Sequence, residues 1–330
     1  MFRKILFIGL GGAGQRHLRI VKKIMPNASC LAYRQLKKTP LLNSDFSINS
    51  NTSLKDYYGI DVYDDIDAAY ANNPDLVIIS VPTSMHYEHI IRASNEGASI
   101  LVEKPGSVNY KEAKDLSTIL KKNKTKFMIS FQRRFHPYIV ELKKQLKQKN
   151  IRNITHISVD VCSYVPSWHP YEDYRSLYAC QANLGGGVLL TESHEIDIII
   201  WLLGYPKKIE SKLNKREKMG LDIEDSANII LHYEKYKVNI NLDFMNKKTK
   251  RLMLIKHDAD DIILDFDSNN YKFKYYDESK NKIINNLTND ELFETQFNYF
   301  LRHNKYSTEY IDAMVNNLMF INECKSGQFS

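Results

Sequence analysis

The stretch Lys4 to Arg19, KILFIGLGGAGQRHLR, constrains the fold more than any other part of the chain. Its apolar run Ile5 to Ile8 reads as a buried parallel strand. Gly9, Gly11 and Gly14 then spell G-x-G-x-x-G, and Leu18, Val21 and Ile24 repeat at helical spacing. Strand, glycine turn and helix in that order is the context in which this motif seats a dinucleotide. The first glycine allows a tight turn, the second lets backbone approach a pyrophosphate, and the third lets helix and strand pack closely. The helix N-terminus offers N–H groups and partial positive charge to the phosphates. Gly9, Gly11, Gly12, Ala13 and Gly14 are therefore the first candidate cofactor residues.

Strands and helices keep alternating after this turn, as a doubly wound parallel sheet requires. Strands are expected at Ser29–Tyr33, Asp61–Tyr63, Asp75–Val81, Ser99–Val102 and Phe127–Phe131. Helices are expected from a cap at Asp64 through Ala71, from Ser84 to a glycine stop at Gly97, and over Tyr110–Lys121. Residues 39–53, rich in Asn and Ser, read as a loop followed by a weak helix. The end of the second strand faces the adenosine ribose in such folds, where an acid would select NAD. Here stand Tyr33 and Arg34, followed by Lys37 and Lys38, and the next acid is Asp45. Arg34 suits a 2′-phosphate, which favours NADP(H) over NAD(H).

Residues 1–130 make up this first domain, and 131–330 the second. An amphipathic helix is expected over Arg134–Gln148, an alternating strand over Ile154–Tyr164, and a helix over 187–203 ending at Gly204. The runs 227–233, 238–244, 252–256, 262–266 and 271–275 read as an antiparallel meander. Two helices near 290–303 and 308–325 close the chain, the last with the option of packing back on the first domain.

Composition narrows the function classes. The net charge of +7 lies in short clusters such as residues 121–126 and 246–251, which read as solvated surface and not as a nucleic-acid site. The four cysteines form no C-x-x-C pair, so reduced thiols in the cytoplasm are expected, without a disulfide framework or a metal site. No stretch approaches the ~20 apolar residues of a membrane span. The apolar N-terminal run leads straight into the glycine turn and does not read as a signal peptide.

Several motifs together resemble the Gfo/Idh/MocA oxidoreductases, the family of glucose–fructose oxidoreductase and inositol dehydrogenase. They are the glycine motif followed by His17, DLVIISVPTSMHYEHI at 75–90, LVEKP at 101–105, the Gly185-Gly186-Gly187 turn and HEID at 194–197, spanning roughly residues 3–205. The resemblance implies a Rossmann domain followed by an α/β domain with a large, mostly antiparallel open sheet, often used to form oligomers, so a homodimer or tetramer is expected. It implies hydride transfer between a nicotinamide and a hydroxyl-bearing carbon, usually on a sugar or polyol. It adds Val81, Pro82, Thr83, His86, Glu103 and Lys104 to the cofactor residues. It also makes Lys104 and His194 the catalytic pair, both touching substrate.

Lys104 leaves a strand at the sheet edge where ligands bind, and a lysine beside a cationic nicotinamide can exchange protons near neutral pH. His194 suits the proton that leaves as hydride transfers. Many relatives carry an aspartate three or four residues before this histidine; here Thr191 and Leu190 stand there. Either His194 works with Lys104 alone, or Glu192 or Asp197 substitutes. Between strand and glycine turn, YVPSWHPYEDYR at 164–175 concentrates rings and charges suited to a sugar face or phosphates. Tyr164, Trp168, Tyr174 and Arg175 are its candidate substrate residues, joined by Thr191 and by Arg134, which with Arg133 either meets a substrate phosphate or pairs with local acids. The reading that follows is an NAD(P)-dependent oxidoreductase acting on a sugar or nucleotide-linked sugar, with surface-glycan biosynthesis as its setting. An inositol, polyol or free-sugar dehydrogenase of catabolism and a non-catalytic cofactor-binding sensor stay open beside it.

Overall fold

The computed structural model describes residues 2–327 apart from 36–38, 51, 149–152, 170–171, 218–219, 258–259, 267–271, 276–281, 284–286 and 304–305. Lys37, Lys38 and Tyr171 thus lie outside the described residues. The chain divides into two compact units. The first comprises Met1–Phe131, His169–Glu172 and Asn289–Val315, and the second Gln132–Trp168, Asp173–Thr288 and Asn316–Ser330.

The first unit follows a regular alternation: β1 (Lys4–Ile8), α1 (Gly12–Ile24), β2 (Ser29–Tyr33), α2 (Leu54–Tyr58), β3 (Asp61–Tyr63), α3 (Ile66–Tyr70), β4 (Leu76–Ile79), α4 (His86–Asn95), β5 (Ser99–Val102), α5 (Tyr110–Lys122) and β6 (Phe127–Ile129). The strands form one parallel sheet in the order β3-β2-β1-β4-β5-β6, with Leu6 of β1 in register with Leu31 and Val77. Ile5–Ile8 and Leu76–Ile79 are wholly buried, as central strands covered on both faces must be. Asp65, not Asp64, caps α3: its backbone is extended and its carboxylate accepts the Asp67 N–H.

The second unit begins with a 3₁₀ turn at Gln132–Phe135, then α6 (Pro137–Lys147) and β7 (Ile154–Tyr164). The expected helix from Arg134 starts later because Pro137 occupies its first turn, where a missing N–H costs nothing, with His136 as cap. Three short 3₁₀ turns between 174 and 184 lead to α7 (Val188–Thr191) and α8 (Ser193–Leu203), separated at Glu192, so the helix expected over 187–203 is broken. The strands β8 (Lys208–Asn214), β9 (Ser226–His232), β10 (Lys237–Asp243), β11 (Met245–His257), β12 (Asp260–Asp265), β13 (Lys272–Tyr275) and β14 (Lys282–Ile283) complete a sheet ordered β14-β13-β12-β11-β7-β10-β9-β8. It is mostly antiparallel but not a plain meander. β7 inserts between β10 and β11, parallel to the first and antiparallel to the second.

Two helices follow, α9 (Asn289–Arg302) and α10 (Glu309–Ser326). α9 lies with the first unit, along α1. Arg16 meets Asp290 at 2.9 Å, Lys23 meets Glu294 at 2.6 Å, and His17 presents its ring edge-on to Phe293. α10 is divided between the units at Val315. No described helix is long and apolar enough to cross a membrane.

Candidate active site

The glycine turn at the C-terminal end of β1 is built as the motif demands. Gly9 has φ +85°, a conformation open to few other residues, and its N–H bonds the Tyr33 carbonyl at 3.1 Å. A Cβ on Gly14 would lie 2.4 Å from the Gly9 carbonyl oxygen, so only glycine lets α1 approach the turn this closely. Among the described residues, and its chain neighbours apart, nothing lies within 4 Å of the Cβ position of Gly11. α1 carries no acidic residue in its first turn and no side-chain cap at its N-terminus. Close backbone packing at Gly14, open space at Gly11 and uncapped helix N–H groups fit the phosphates of a dinucleotide.

Two neighbouring loops meet this turn, and two buried histidines fasten them. His17 on α1 bonds the Glu103 carboxylate at 2.8 Å, and the other oxygen of that carboxylate accepts the Lys104 N–H at 3.3 Å. His86, at the start of α4, places Nδ1 2.8 Å from the Pro105 carbonyl and Nε2 2.9 Å from the Val81 carbonyl. Lys104 is thus held through the residue before it and the residue after it. The Lys104–Pro105 bond is cis. Burial pushes the Glu103 carboxyl up, but the His17 bond and the Lys104 charge outweigh it, so the group ends below the ordinary carboxylate range. Burial lowers His86 below the ordinary imidazole range. Thr83 is buried beside it, while Val81 and Pro82 are half-buried.

Arg34 leaves β2 with its N–H on the Tyr63 carbonyl. Its guanidinium turns back to the Thr39 carbonyl at 2.7 Å and is partly desolvated, which lowers its pKa.

The second unit holds the remaining candidates. His194 and Thr191 are buried on α8 and α7. The acids around them are each engaged by an arginine. Asp197 receives two hydrogen bonds from Arg134, at 2.7 and 2.6 Å, with both side chains buried. Glu192 accepts from Arg251 at 2.9 Å, and Glu195 binds the same guanidinium, with Arg133 3.8 Å away. Burial alone would lower Arg251, but these two carboxylates raise it above its ordinary value. Asn317 of α10 donates to the Ser193 carbonyl at 3.0 Å. Arg134, expected either at a substrate phosphate or on local acids, pairs here with Asp197, and each orients the other.

In the 164–175 segment, Tyr164 ends β7 with Lys247 5.8 Å from its ring centroid, and Trp168 meets Phe244 edge-on at 5.6 Å. Arg175 is exposed; it lies on the Tyr174 ring at 4.6 Å, and Asp173 accepts its N–H at 2.9 Å. Lys104 and the glycine turn belong to the first unit; Arg134, Tyr164, Trp168, Tyr174, Arg175, Thr191 and His194 belong to the second. Sequence reasoning missed Arg251 and Glu195. Arg251 ends the basic run 246–251, which reads as solvated surface, and no local pattern marks its last residue as the one that turns inward.

Comparison with known proteins agrees with this geometry. Residues 3–131 match the Gfo/Idh/MocA model for an oxidoreductase family's NAD-binding Rossmann fold, and residues 143–252 match that family's C-terminal alpha/beta domain. An uncharacterized oxidoreductase of Schizosaccharomyces pombe is 29% identical over 187 residues, 56% of this chain and 49% of that protein. The match thus spans about half the length of the curated relative. The WlbA dehydrogenase of Bordetella pertussis, solved with NADH and UDP-GlcNAcA, superposes with a TM-score of 0.77 at 15% identity, covering 98% of this chain and 95% of that one. The myo-inositol 2-dehydrogenase of Lactobacillus plantarum gives 0.77 at 16%, covering 98% and 96%. At such identities the two structures speak for the fold alone.

Proposed function

The chain belongs to the Gfo/Idh/MocA family of oxidoreductases, and from that premise we propose that it transfers a hydride between a nicotinamide dinucleotide and a hydroxyl or keto carbon of a sugar or nucleotide-linked sugar. Surface-glycan synthesis is the setting we propose, with the protein a cytoplasmic homo-oligomer. The observation that carries the reading is the holding of the backbone around Lys104 by the elements next to the glycine turn, through Glu103 to His17 of α1 and through Pro105 to His86 of α4. A lysine fixed at the edge where a dinucleotide seats is placed for proton exchange. A nucleotide-linked sugar is preferred to a free polyol because the segment 164–175 offers rings together with Arg175, and Lys247 of β11 stands by the Tyr164 ring, a combination suited to a substrate carrying phosphate.

In this reading the nicotinamide, when bound, supplies the hydride acceptor or donor. Gly9, Gly11, Gly12, Ala13 and the first turn of α1 hold the phosphates. Arg34 favours NADP(H) by exchanging the Thr39 carbonyl for a 2′-phosphate. Val81, Pro82, Thr83, His86 and Glu103 shape the neighbouring wall. Lys104 and His194 hold or move the hydroxyl proton. Thr191 offers a hydroxyl where many relatives carry a carboxylate, and Arg134 stabilises the helix that bears His194.

The test is to offer NAD⁺ and NADP⁺ with panels of nucleotide sugars, sugar phosphates, free sugars and polyols, and to offer the reduced cofactors with the keto forms. Turnover with nucleotide sugars is expected. Turnover confined to inositols or free sugars would move the substrate to the catabolic class. Silence in both directions with cofactor bound would leave a sensor.

A further inference from the structure

We propose that Phe46 supplies to the cofactor turn the side chain that Gly12 lacks, and that the hairpin carrying it is a strap that slows release of the bound dinucleotide. This rests on reading the turn as a dinucleotide site. The hairpin belongs to residues 39–50, which follow β2 and close on themselves through the Leu42–Ile48 bridge. Its tip is fixed by local bonds: Asn43 N–H to the Ser47 carbonyl, Phe46 N–H to the Asn43 carbonyl, and the Asp45 carboxylate accepting both the N–H and hydroxyl of Ser47. Phe46 adopts φ +65°, which an aromatic residue takes up rarely and keeps only where its surroundings impose it.

The base of the hairpin is tied to the cofactor helix itself. Gln15 of α1, fully buried, donates to the Pro40 carbonyl at 2.8 Å and the Leu10 carbonyl at 3.1 Å, and accepts the Leu42 N–H at 2.8 Å. One side chain thus joins the glycine turn to the first arm of the hairpin. The tip then delivers its ring to Gly12: a Cβ there would lie 2.6 Å from the ring edge. The Arg16 guanidinium rests on the same ring at 4.9 Å and on Phe293 at 5.2 Å, and its Nε meets Asp290 at 2.9 Å. The His169 ring stacks on Phe46 with 6.2 Å between centroids. The turn is therefore open at Gly11 and covered at Gly12. In a free surface loop a phenylalanine would have no reason to be aimed so firmly at a glycine. As a cover over one flank of the phosphate turn it has one. In this proposal a dinucleotide seated at the turn lies beside this ring, and its release needs the ring to move.

The experiment is stopped-flow displacement of bound NADPH or NADH by excess oxidised cofactor, read by nicotinamide fluorescence. Wild type is compared with F46A, F46L, G12A and G12A/F46A. Because tuning of affinity appears mainly in dissociation, F46A should release cofactor about fivefold faster or more, with association within about twofold of wild type. F46L, which keeps most of the apolar volume, should stay near the wild-type rate and shows that the hairpin still folds. G12A puts a methyl group where the ring sits, so it should speed release in the wild-type background and add little to F46A. Release from F46A at or below the wild-type rate would overturn the proposal, as would an equal effect of G12A in both backgrounds. Failure of wild type to bind either dinucleotide would instead overturn the underlying reading of the turn.

Discussion

At the scale of single residues, the site is a set of side chains whose polar atoms are spent on holding neighbours. His17 and His86 hold the backbone around Lys104, Gln15 holds the loop after β2, and Arg34 holds Thr39. Glycine spacing and the Glu103-Lys104-Pro105 sequence made the first of these sites legible, because each demands a particular backbone. The partners of the histidines were not legible, since nothing local relates residue 17 to 103. Arg34 is the residue to which we assign the proposed cofactor preference, and the prediction is specific. R34D should weaken NADP(H) binding about tenfold or more relative to NAD(H), because a carboxylate repels the 2′-phosphate and accepts the ribose hydroxyls. Titration calorimetry with both cofactors checks this, and equal weakening of both would remove the phosphate contact.

At the scale of elements, parallel strands announced themselves as unbroken apolar runs, while the second sheet showed only where its strands were. The insertion of β7 between β10 and β11 pairs residues about eighty to a hundred positions apart, and alternation within a strand carries no record of its neighbours. The same limit hid the joining of the 3₁₀ turn at 132–135 to α8 through Arg134 and Asp197. Removing one partner from a buried pair leaves its mate desolvated. R134M should therefore destabilise the protein by about 3–5 kcal/mol, and R134M/D197L should recover most of that loss. Urea denaturation of both variants measures it. An R134M variant of full stability but raised substrate KM would instead return Arg134 to the substrate.

At the scale of the whole molecule, buried histidines set the response to acid. Burial, aided by His86 beside His89 and by Arg133 beside His136, lowers both imidazoles to about 4. The unfolded chain takes up these protons near 6.5, while the folded chain resists until about 4. Their contribution is therefore fully present above about pH 6.5 and lost as pH falls toward 4. Each such histidine should cost about 2 kcal/mol of stability between pH 7 and pH 5. H89Q should flatten the slope by its share in denaturation curves at the two pH values, and an unchanged slope would mean that His89 is already charged when folded. In the function we propose, the reaction depends on Lys104, whose neighbours Glu103 and Pro105 are held by His17 and His86. The most direct test is K104A, with cofactor affinity measured by nicotinamide fluorescence and turnover measured on the best substrate of the panel. Because the role proposed for the lysine is in the proton transfer, turnover should fall about 100-fold or more while cofactor affinity stays within about threefold of wild type. Turnover at the wild-type rate would contradict the account.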